Sequence, residues 1–339
     1  MELRELGEFG LIQRLTRMLA EAGVATSPKG ASFPLVIGIG DDAAAWRIAA
    51  WRMNDAIELS TTDTVVDGVH FTRETTPWHD LGWKVMVANL SDIAAMGGVP
   101  LYALVTLGLP EDTPVADIEL LYQGMIECCR EYGAAIAGGD VVRSPVAFVS
   151  VTLNGVHHGQ PMLRSAAKVG DLLAVTGFLG SSRGGLELLI RHPTVDSEAA
   201  IYLCQAHRRP RPRVAEGRIL SEAGVLAGMD ISDGLLDDLG KMMVASGMAA
   251  QVDSWRVPVH PLLLRAFPDR ALRMALAGGE EYELLYAAPA PVMEMTIARI
   301  PGAAVIGRVV AGAPGQVGVL DHDGRHLPGL DAGWDHFRS

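Results

Sequence analysis

Along this chain an apolar run ends, again and again, in glycine or serine followed by aspartate. The device appears at Asp42 in Gly38-Ile39-Gly40-Asp41-Asp42-Ala43-Ala44, directly after Leu35-Val36-Ile37. It recurs at Asp63 in Thr61-Thr62-Asp63-Thr64, at Asp92 after Asn89-Leu90-Ser91, at Asp140 in Gly138-Gly139-Asp140, and at Asp230 and Asp233 in Asp230-Ile231-Ser232-Asp233-Gly234. A buried strand that stops on glycine and an acid holds oxygen ligands at a rigid sheet edge. Taken singly, each stretch is ordinary turn or helix-cap chemistry. Taken together, converging carboxylates repel one another unless cations sit between them. Carboxylates and hydroxyls are hard donors, which suit Mg²⁺ better than zinc or copper. Mg²⁺ is commonly shared between one or two carboxylates and substrate phosphates, so phosphoryl transfer from a nucleotide is the chemistry this pattern fits. The sequence has no Gly-x-x-x-x-Gly-Lys-Ser/Thr loop and no protein-kinase His-Arg-Asp and Asp-Phe-Gly set. Any ATP site must then grip the triphosphate through metals and scattered Arg or Lys residues.

At 339 residues the length allows about two domains. Lys and Arg number 28 against 40 Asp and Glu, a formal net charge of −12, which argues against a nucleic-acid binder. The cysteines, Cys128, Cys129 and Cys204, form no Cys-x-x-Cys pair and no zinc spacing, so reduced, inert thiols are expected. Met1 to Gly10 lacks the apolar core of a signal peptide, and no apolar run of about 18 residues suggests a membrane span. A cytoplasmic protein is expected, with neither nucleic acid nor membrane as partner.

Read in order, the chain alternates helical and extended patterns. Phe9, Ile12, Leu15, Met18 and Leu19 recur at helical spacing over 8–22, and 26–32 is turn-rich. Strands are expected at 35–39 and 56–60, the latter running into Thr61-Thr62-Asp63-Thr64, where a carboxylate among hydroxyls suits a cation or phosphate and equally a turn or helix cap. His70 stands alone in apolar company and reads first as a satisfied core residue. A helix is expected over 77–95, with Asn89 and Asp92 on its polar side, and Met96-Gly97-Gly98-Val99-Pro100 stops it. Then come a strand over 102–109, a helix over 114–132, a short strand over 134–137 ending in Gly138-Gly139-Asp140, and a long strand over 146–158. The domain boundary is placed there, giving 1–158 and 159–339. In the second half, a strand over 172–176 leads to the glycine-rich turn Gly177-Phe178-Leu179-Gly180-Ser181-Ser182, which opens a helix and resembles a weak anion site. Residues 208–213 are basic and proline-rich, as a surface loop would be. Gly278-Gly279-Glu280-Glu281-Tyr282-Glu283 and a terminal Trp334 complete the set.

These blocks carry a family resemblance. Gly-Ile-Gly-Asp-Asp-Ala-Ala (38–44), Thr-Thr-Asp-Thr-Val-Val-Asp-Gly-Val-His-Phe (61–71), Asn-Leu-Ser-Asp-Ile-Ala-Ala-Met-Gly-Gly (89–98), Gly-Gly-Asp (138–140), Leu-Arg-Ser (163–165), Asp-Ile-Ser-Asp-Gly-Leu (230–235), Gly-Gly-Glu-Glu-Tyr-Glu-Leu (278–284) and Asp-His-Phe (335–337) together resemble the thiamine-monophosphate kinases. They fall in that family's order over nearly the whole chain. The resemblance implies an α/β chain of the α+β type, with the two-domain aminoimidazole ribonucleotide synthetase-like fold. It also implies a homodimer whose N-terminal sheets pair. It implies that ATP and thiamine monophosphate react to ADP and thiamine diphosphate by direct in-line transfer, assisted by several Mg²⁺ ions and without a phosphoenzyme or other covalent nucleophile.

Carried across position by position, the resemblance implies Mg²⁺ ligands at Asp42, Thr61, Thr62, Asp63, Asp92, Asp140, Asp230 and Asp233. It implies ATP contacts at Tyr132, Gly139, Asp140, Arg164 and Ser232, and substrate contacts at His70, Glu280 and Trp334. An aromatic beside a cationic thiazolium makes sense through stacking and cation–π attraction. The chain departs from the family at Glu281, where aspartate is usual, and at Val141-Val142, where two threonines are frequent. Two rival readings are a sister ATP-dependent synthetase of the same superfamily and a non-catalytic Mg-nucleotide-binding protein. The selenophosphate branch lacks support because no cysteine lies near the N-terminus. The hydrogenase-maturation branch lacks it because the chain ends His336-Phe337-Arg338-Ser339, without a terminal cysteine. The binding-protein reading with structural Ca²⁺ loops lacks it because no Asp-x-Asp-x-Asp-Gly loop occurs.

Overall fold

A computed structural model describes residues 35–37, 41–47 and 56–327. The helix expected over 8–22, Gly38 to Gly40, Trp334 and Asp335-His336-Phe337 lie outside the described residues. The described residues form two six-stranded sheets. The first has the order β1-β2-β3-β6-β4-β5 and is built from β1 (Leu35–Ile37), β2 (Ala44–Arg47), β3 (Ala56–Val66), β4 (Val99–Leu109), β5 (Ala135–Arg143) and β6 (Phe148–His158). All neighbours run antiparallel except β4 and β5. That parallel pair needs a crossover, and α2 (Val115–Tyr132) supplies it.

The sheet has one buried and one open face because side chains alternate along its strands. Leu59, Val151, Leu153, Ala103, Val105 and Leu107 point inward and are buried. There they meet α1 (Trp78–Ala95) and α2. The two helices cross at glycines. A Cβ on Gly82 would lie 1.9 Å from the Leu121 carbonyl oxygen, and one on Gly124 would lie 1.9 Å from that of His79. The other face of the sheet carries Ser60, Thr62, Thr64, Ser150, Thr152, Tyr102, Leu104, Asp140 and Val142, and Tyr102, Leu104 and Val142 are exposed.

The second sheet follows β6 in the chain and has the order β12-β9-β11-β7-β10-β8. Its strands are β7 (Leu172–Val175), β8 (Ala227–Asp230), β9 (Ala249–Asp253), β10 (Leu284–Ala288), β11 (Ala304–Val310) and β12 (Val317–Leu320). The interior strand β10, between β7 and β8, is buried along its whole length, as its unbroken Leu-Leu-Tyr-Ala-Ala run requires. Leu284, Tyr286 and Ala288 join the core beneath the first sheet, while Leu285 and Ala287 join a second core under α6 (Leu235–Ser246). A third apolar cluster joins α3 (Ser181–Arg191), α4 (Ser197–Arg208), α7 (Pro261–Ala266) and α8 (Ala271–Ala277). The remaining helices are α5 (Val214–Glu222) and α9 (Ala290–Arg299). Among the described residues no helix is long and apolar enough to cross a membrane.

Several local expectations are corrected. At Thr61-Thr62-Asp63-Thr64 the turn or cap alternative falls away, because β3 continues to Val66. Val99 and Pro100 already belong to β4 rather than to the helix stop. Gly138-Gly139-Asp140 lies inside β5 instead of ending a strand. There the β4 backbone comes so close that a Cβ on Gly139 would meet the Val105 carbonyl oxygen at 1.8 Å. Residues 208–213 are more than a surface loop. Trp83 Nε1 donates to the Pro210 carbonyl at 2.7 Å, and Arg213 forms an ion pair with buried Glu283.

Candidate active site

Strand alternation decides which of the acidic-block residues meet. Thr61 and Asp63 lie on the face of β3 that carries Leu59 and looks toward α1. Thr62 lies on the other face, where it donates to the Val151 carbonyl at 3.1 Å and accepts from Thr152 at 3.1 Å. Thr61 Oγ1 donates to Asp92 Oδ2 on α1 at 2.5 Å. One residue earlier, Ser91 Oγ donates to Asp230 Oδ2 at the end of β8 at 2.8 Å. Asp42 closes the group from the segment before β2 and is bound by the Arg164 guanidinium, with one contact from Nε at 3.0 Å.

Carboxylate oxygens of Asp42, Asp92 and Asp230 all lie within 4.8 Å of one another. Burial, and then the charges of Asp63, Asp230 and Asp42, raise the Asp92 carboxyl well above the usual range. Burial, and then Asp42 and Asp238, do the same to Asp230. The neighbouring Asp41 is pushed up to about 7 by burial and by Asp42. Among the described residues, the Oδ2 atom of Asp42 is buried without a hydrogen-bond partner. Among those same described residues, this converging set of hard oxygens, with an orphaned acceptor and one guanidinium, is under-neutralised, and it fits a small divalent cation.

The second sheet supplies the other wall. Asp238 on α6 accepts the N–H groups of Ser232, Asp233 and Gly234, each at 3.0 Å, so the helix caps its own entry turn. Burial pushes Asp238 up to about 6 against the opposing pull of Lys241. Lys241 bridges Asp233, Asp237 and Asp238. The turn at Asp230 is stitched to the second glycine-acid turn. Glu280 N donates to the Ser232 carbonyl at 2.7 Å, and Tyr282 N donates to that of Ile231 at 2.9 Å. Glu280 and Tyr282 sit at φ 58° and 53°, a left-handed conformation that non-glycine residues seldom adopt.

Glu281 points away from this turn into the start of α3. Its carboxylate faces the Arg183 N–H at 3.5 Å and is bonded also by the backbone of Ser182 and Gly180. The apparent anion site of the glycine-rich turn is therefore filled by the chain's own acid, which burial pushes up to about 8. His70 sits in the turn after β3, where its Nδ1 accepts the Val66 N–H at 3.0 Å.

Tyr132, Gly139 and Asp140 are not brought to the carboxylate group. Asp63, Val151, Val105 and Gly139 form one row across β3, β6, β4 and β5. Three strand spacings put Gly139 about 14 Å from Asp63. Asp140 shares the open face with Thr62, and Tyr132 packs edge-on against Trp83 with ring centroids 6.0 Å apart. The sequence reading also missed Ser91, Lys84, His207, Asp238 and Lys241. Lys84 did carry a signal, a charge inside an otherwise apolar helical run.

The family profiles described as AIR synthase related protein, N-terminal domain and C-terminal domain match residues 40–157 and 168–319. The thiamine-monophosphate kinase of Aquifex aeolicus is 34% identical over 344 residues, covering 99% of this chain and 100% of the relative. That of Bacillus subtilis is 38% identical over 252 residues, covering 73% and 76%. Among solved structures, AaThiL complexed with AMPPCP and TMP superposes with a TM-score of 0.84 at 33% identity, covering 99% of both chains. The hydrogenase maturation protein HypE in complex with ATP, at 22% identity and a TM-score of 0.67, shares the fold.

Proposed function

The chain belongs to the thiamine-monophosphate kinase family of AIR synthase related proteins, and from that membership we propose how its own residues carry out the ATP-dependent phosphorylation of thiamine monophosphate to thiamine diphosphate. The observation that carries this reading is the meeting of Asp42, Asp92 and Asp230 within 4.8 Å, beside an orphaned Asp42 oxygen.

Asp42, Thr61, Asp63, Asp92, Asp230 and Asp233 would hold Mg²⁺ ions, which when bound cancel charge on the transferring phosphoryl oxygens and between donor and acceptor phosphates. Arg164, fixed against Asp42, faces the triphosphate together with Ser232 at the entry of α6. A phosphate oxygen of thiamine monophosphate forms the new P–O bond to the γ-phosphorus of ATP as the bond to ADP breaks. The acceptor is already an anion, so no general base is required. The rate comes from placement and fixed electrostatics. His70 and Glu280 contact the acceptor, and Trp334 is assigned to the same task from the sequence match.

Tyr132, Gly139, Asp140 and Thr62 lie away from this group within one chain, so we assign them to the centre completed by a second copy. The exposed Tyr102, Leu104 and Val142, on the open face that Thr62 and Asp140 share, would be covered in such a homodimer. The domain boundary is placed after 158, between the strands of the two sheets, and the enzyme is assigned to the cytoplasm.

The test is to incubate the protein with thiamine monophosphate, ATP and Mg²⁺, with and without EDTA, and to separate the products. Metal-dependent thiamine diphosphate with matching ADP is expected. ADP alone would indicate a sister synthetase with another acceptor. Folded protein that binds Mg-ATP and makes no ADP would be a binding protein.

A further inference from the structure

Lys84 is the feature the reaction leaves unexplained. It stands on α1 between Trp83 and Val85 with a side chain only 5% exposed, where a lone ammonium is costly. Its Nζ lies 2.7 Å from Glu280 Oε1 and 3.4 Å from His207 Nε2. On its other nitrogen, His207 lies 3.2 Å from Ser182 Oγ and 3.6 Å from Glu280 Oε2. An ammonium has no lone pair to offer, so Nε2 must be the acceptor and Nδ1 must carry the ring proton. The imidazole is neutral, because burial and the Lys84 charge push it down to about 2.

The Glu280 carboxylate is thus approached from behind on both oxygens. Lys84 from the first sheet's helix takes Oε1, and the His207 N–H from α4 faces Oε2. The backbone beneath is locked in a left-handed turn and bonded to Ser232. The Glu280 side chain remains 32% exposed, so these two partners do not enclose it. Lys84 cancels its charge locally, so what the exposed part presents is a directed hydrogen-bond acceptor rather than a net counter-charge.

We infer that Lys84 and His207 are positioning residues that fix Glu280 as an acceptor for an N–H donor of the substrate, namely the exocyclic amine of the aminopyrimidine ring, and so set selectivity for the amino form. This rests on the proposed kinase activity and on the assignment of Glu280 to the acceptor site. A site built to bond an N–H group rejects an analogue without it far more strongly than an apolar pocket rejects a small size change.

The experiment compares thiamine monophosphate with its analogue in which a ring oxo group replaces the amine. Both are assayed on wild type, Lys84→Met, Lys84→Arg, His207→Gln and Glu280→Gln, with thermal melts confirming folded protein. Wild type should favour the amine by kcat/KM about tenfold to a hundredfold. Lys84→Met should raise KM for thiamine monophosphate by about tenfold and erase most of that preference, with KM for ATP unchanged. Lys84→Arg should recover part of it. His207→Gln should weaken it less, since one of the two supports remains. Glu280→Gln, whose amide can donate, should shift preference toward the oxo analogue. A folded Lys84→Met enzyme with unchanged preference and KM would overturn the inference, as would equal loss of ATP and acceptor binding. Wild type that phosphorylates neither compound would instead overturn the kinase reading itself.

Discussion

Ser91 on α1 donates a 2.8 Å hydrogen bond to Asp230 at the end of β8, and both residues are buried. This contact joins the helix of the first sheet to a strand of the second, immediately beside the carboxylate group. The site therefore exists only while the two halves are docked. Ser91→Ala leaves Asp230 with one fewer donor and should destabilise the fold by about 2 kcal/mol. A lowered thermal midpoint, with turnover falling alongside, would be the signature; an unchanged midpoint would count against the contact as a docking element.

Asp92→Asn should have opposite effects on stability and activity. Removing one charge from the cluster relieves repulsion, so the metal-free protein should melt higher than wild type. The stabilisation gained on adding Mg²⁺ should shrink, and turnover should fall about a hundredfold or more. Near-wild-type activity in the folded variant would remove Asp92 from the metal-binding role.

Stability of the metal-free protein should fall as pH rises from about 5 to about 8. Asp41 is raised from 3.8 to about 7 and Glu281 from 4.5 to about 8, both chiefly by burial, and Asp92 and Asp230 are raised as well. Each binds its proton more tightly folded than unfolded. Their stabilising contribution is complete below the unfolded values near 4 and lost as pH climbs through the folded ones. Melts in EDTA should show this slope, Mg²⁺ should flatten it, and Glu281→Gln should remove part of it. A flat profile in EDTA would contradict the burial argument.

If Asp140 serves a centre in a second copy, two inactive variants should complement each other. Asp92→Asn and Asp140→Asn proteins, mixed after mild dissociation, should regain about a quarter of wild-type turnover from hybrid dimers. Leu104→Asp on the same face should give a monomer by light scattering and lose activity. Mixtures that stay dead, from variants shown to exchange subunits, would return Asp140 to its own chain.

Gly82→Ala probes the α1–α2 crossing. Its Cβ would meet the Leu121 carbonyl oxygen at 1.9 Å, so the helices must separate. A loss of about 3 kcal/mol is expected, read as a lower denaturation midpoint.

Composition and pattern alone made much of this protein legible. Hydrophobic period placed α1, α2, β4 and β6 within a few residues, because their buried faces require that spacing. The acids marked themselves by standing where a lone carboxylate is costly, and the ordered blocks carried the family resemblance. What only the tertiary structure decided is which of these residues share a space. Thr61, Thr62 and Asp63 are adjacent in the chain, yet strand pleating sends Thr62 to the opposite face, with Asp140. Glu280 and Glu281 are likewise adjacent, but the left-handed turn at 280 aims one at Lys84 and the other into the start of α3. Lys84 and His207 lie far apart in sequence and carry no shared pattern, since their partnership comes from helix packing. Local sequence fixes periodicity and turn preference within a few residues, whereas side-chain convergence depends on pleat parity and long-range packing that no short motif contains.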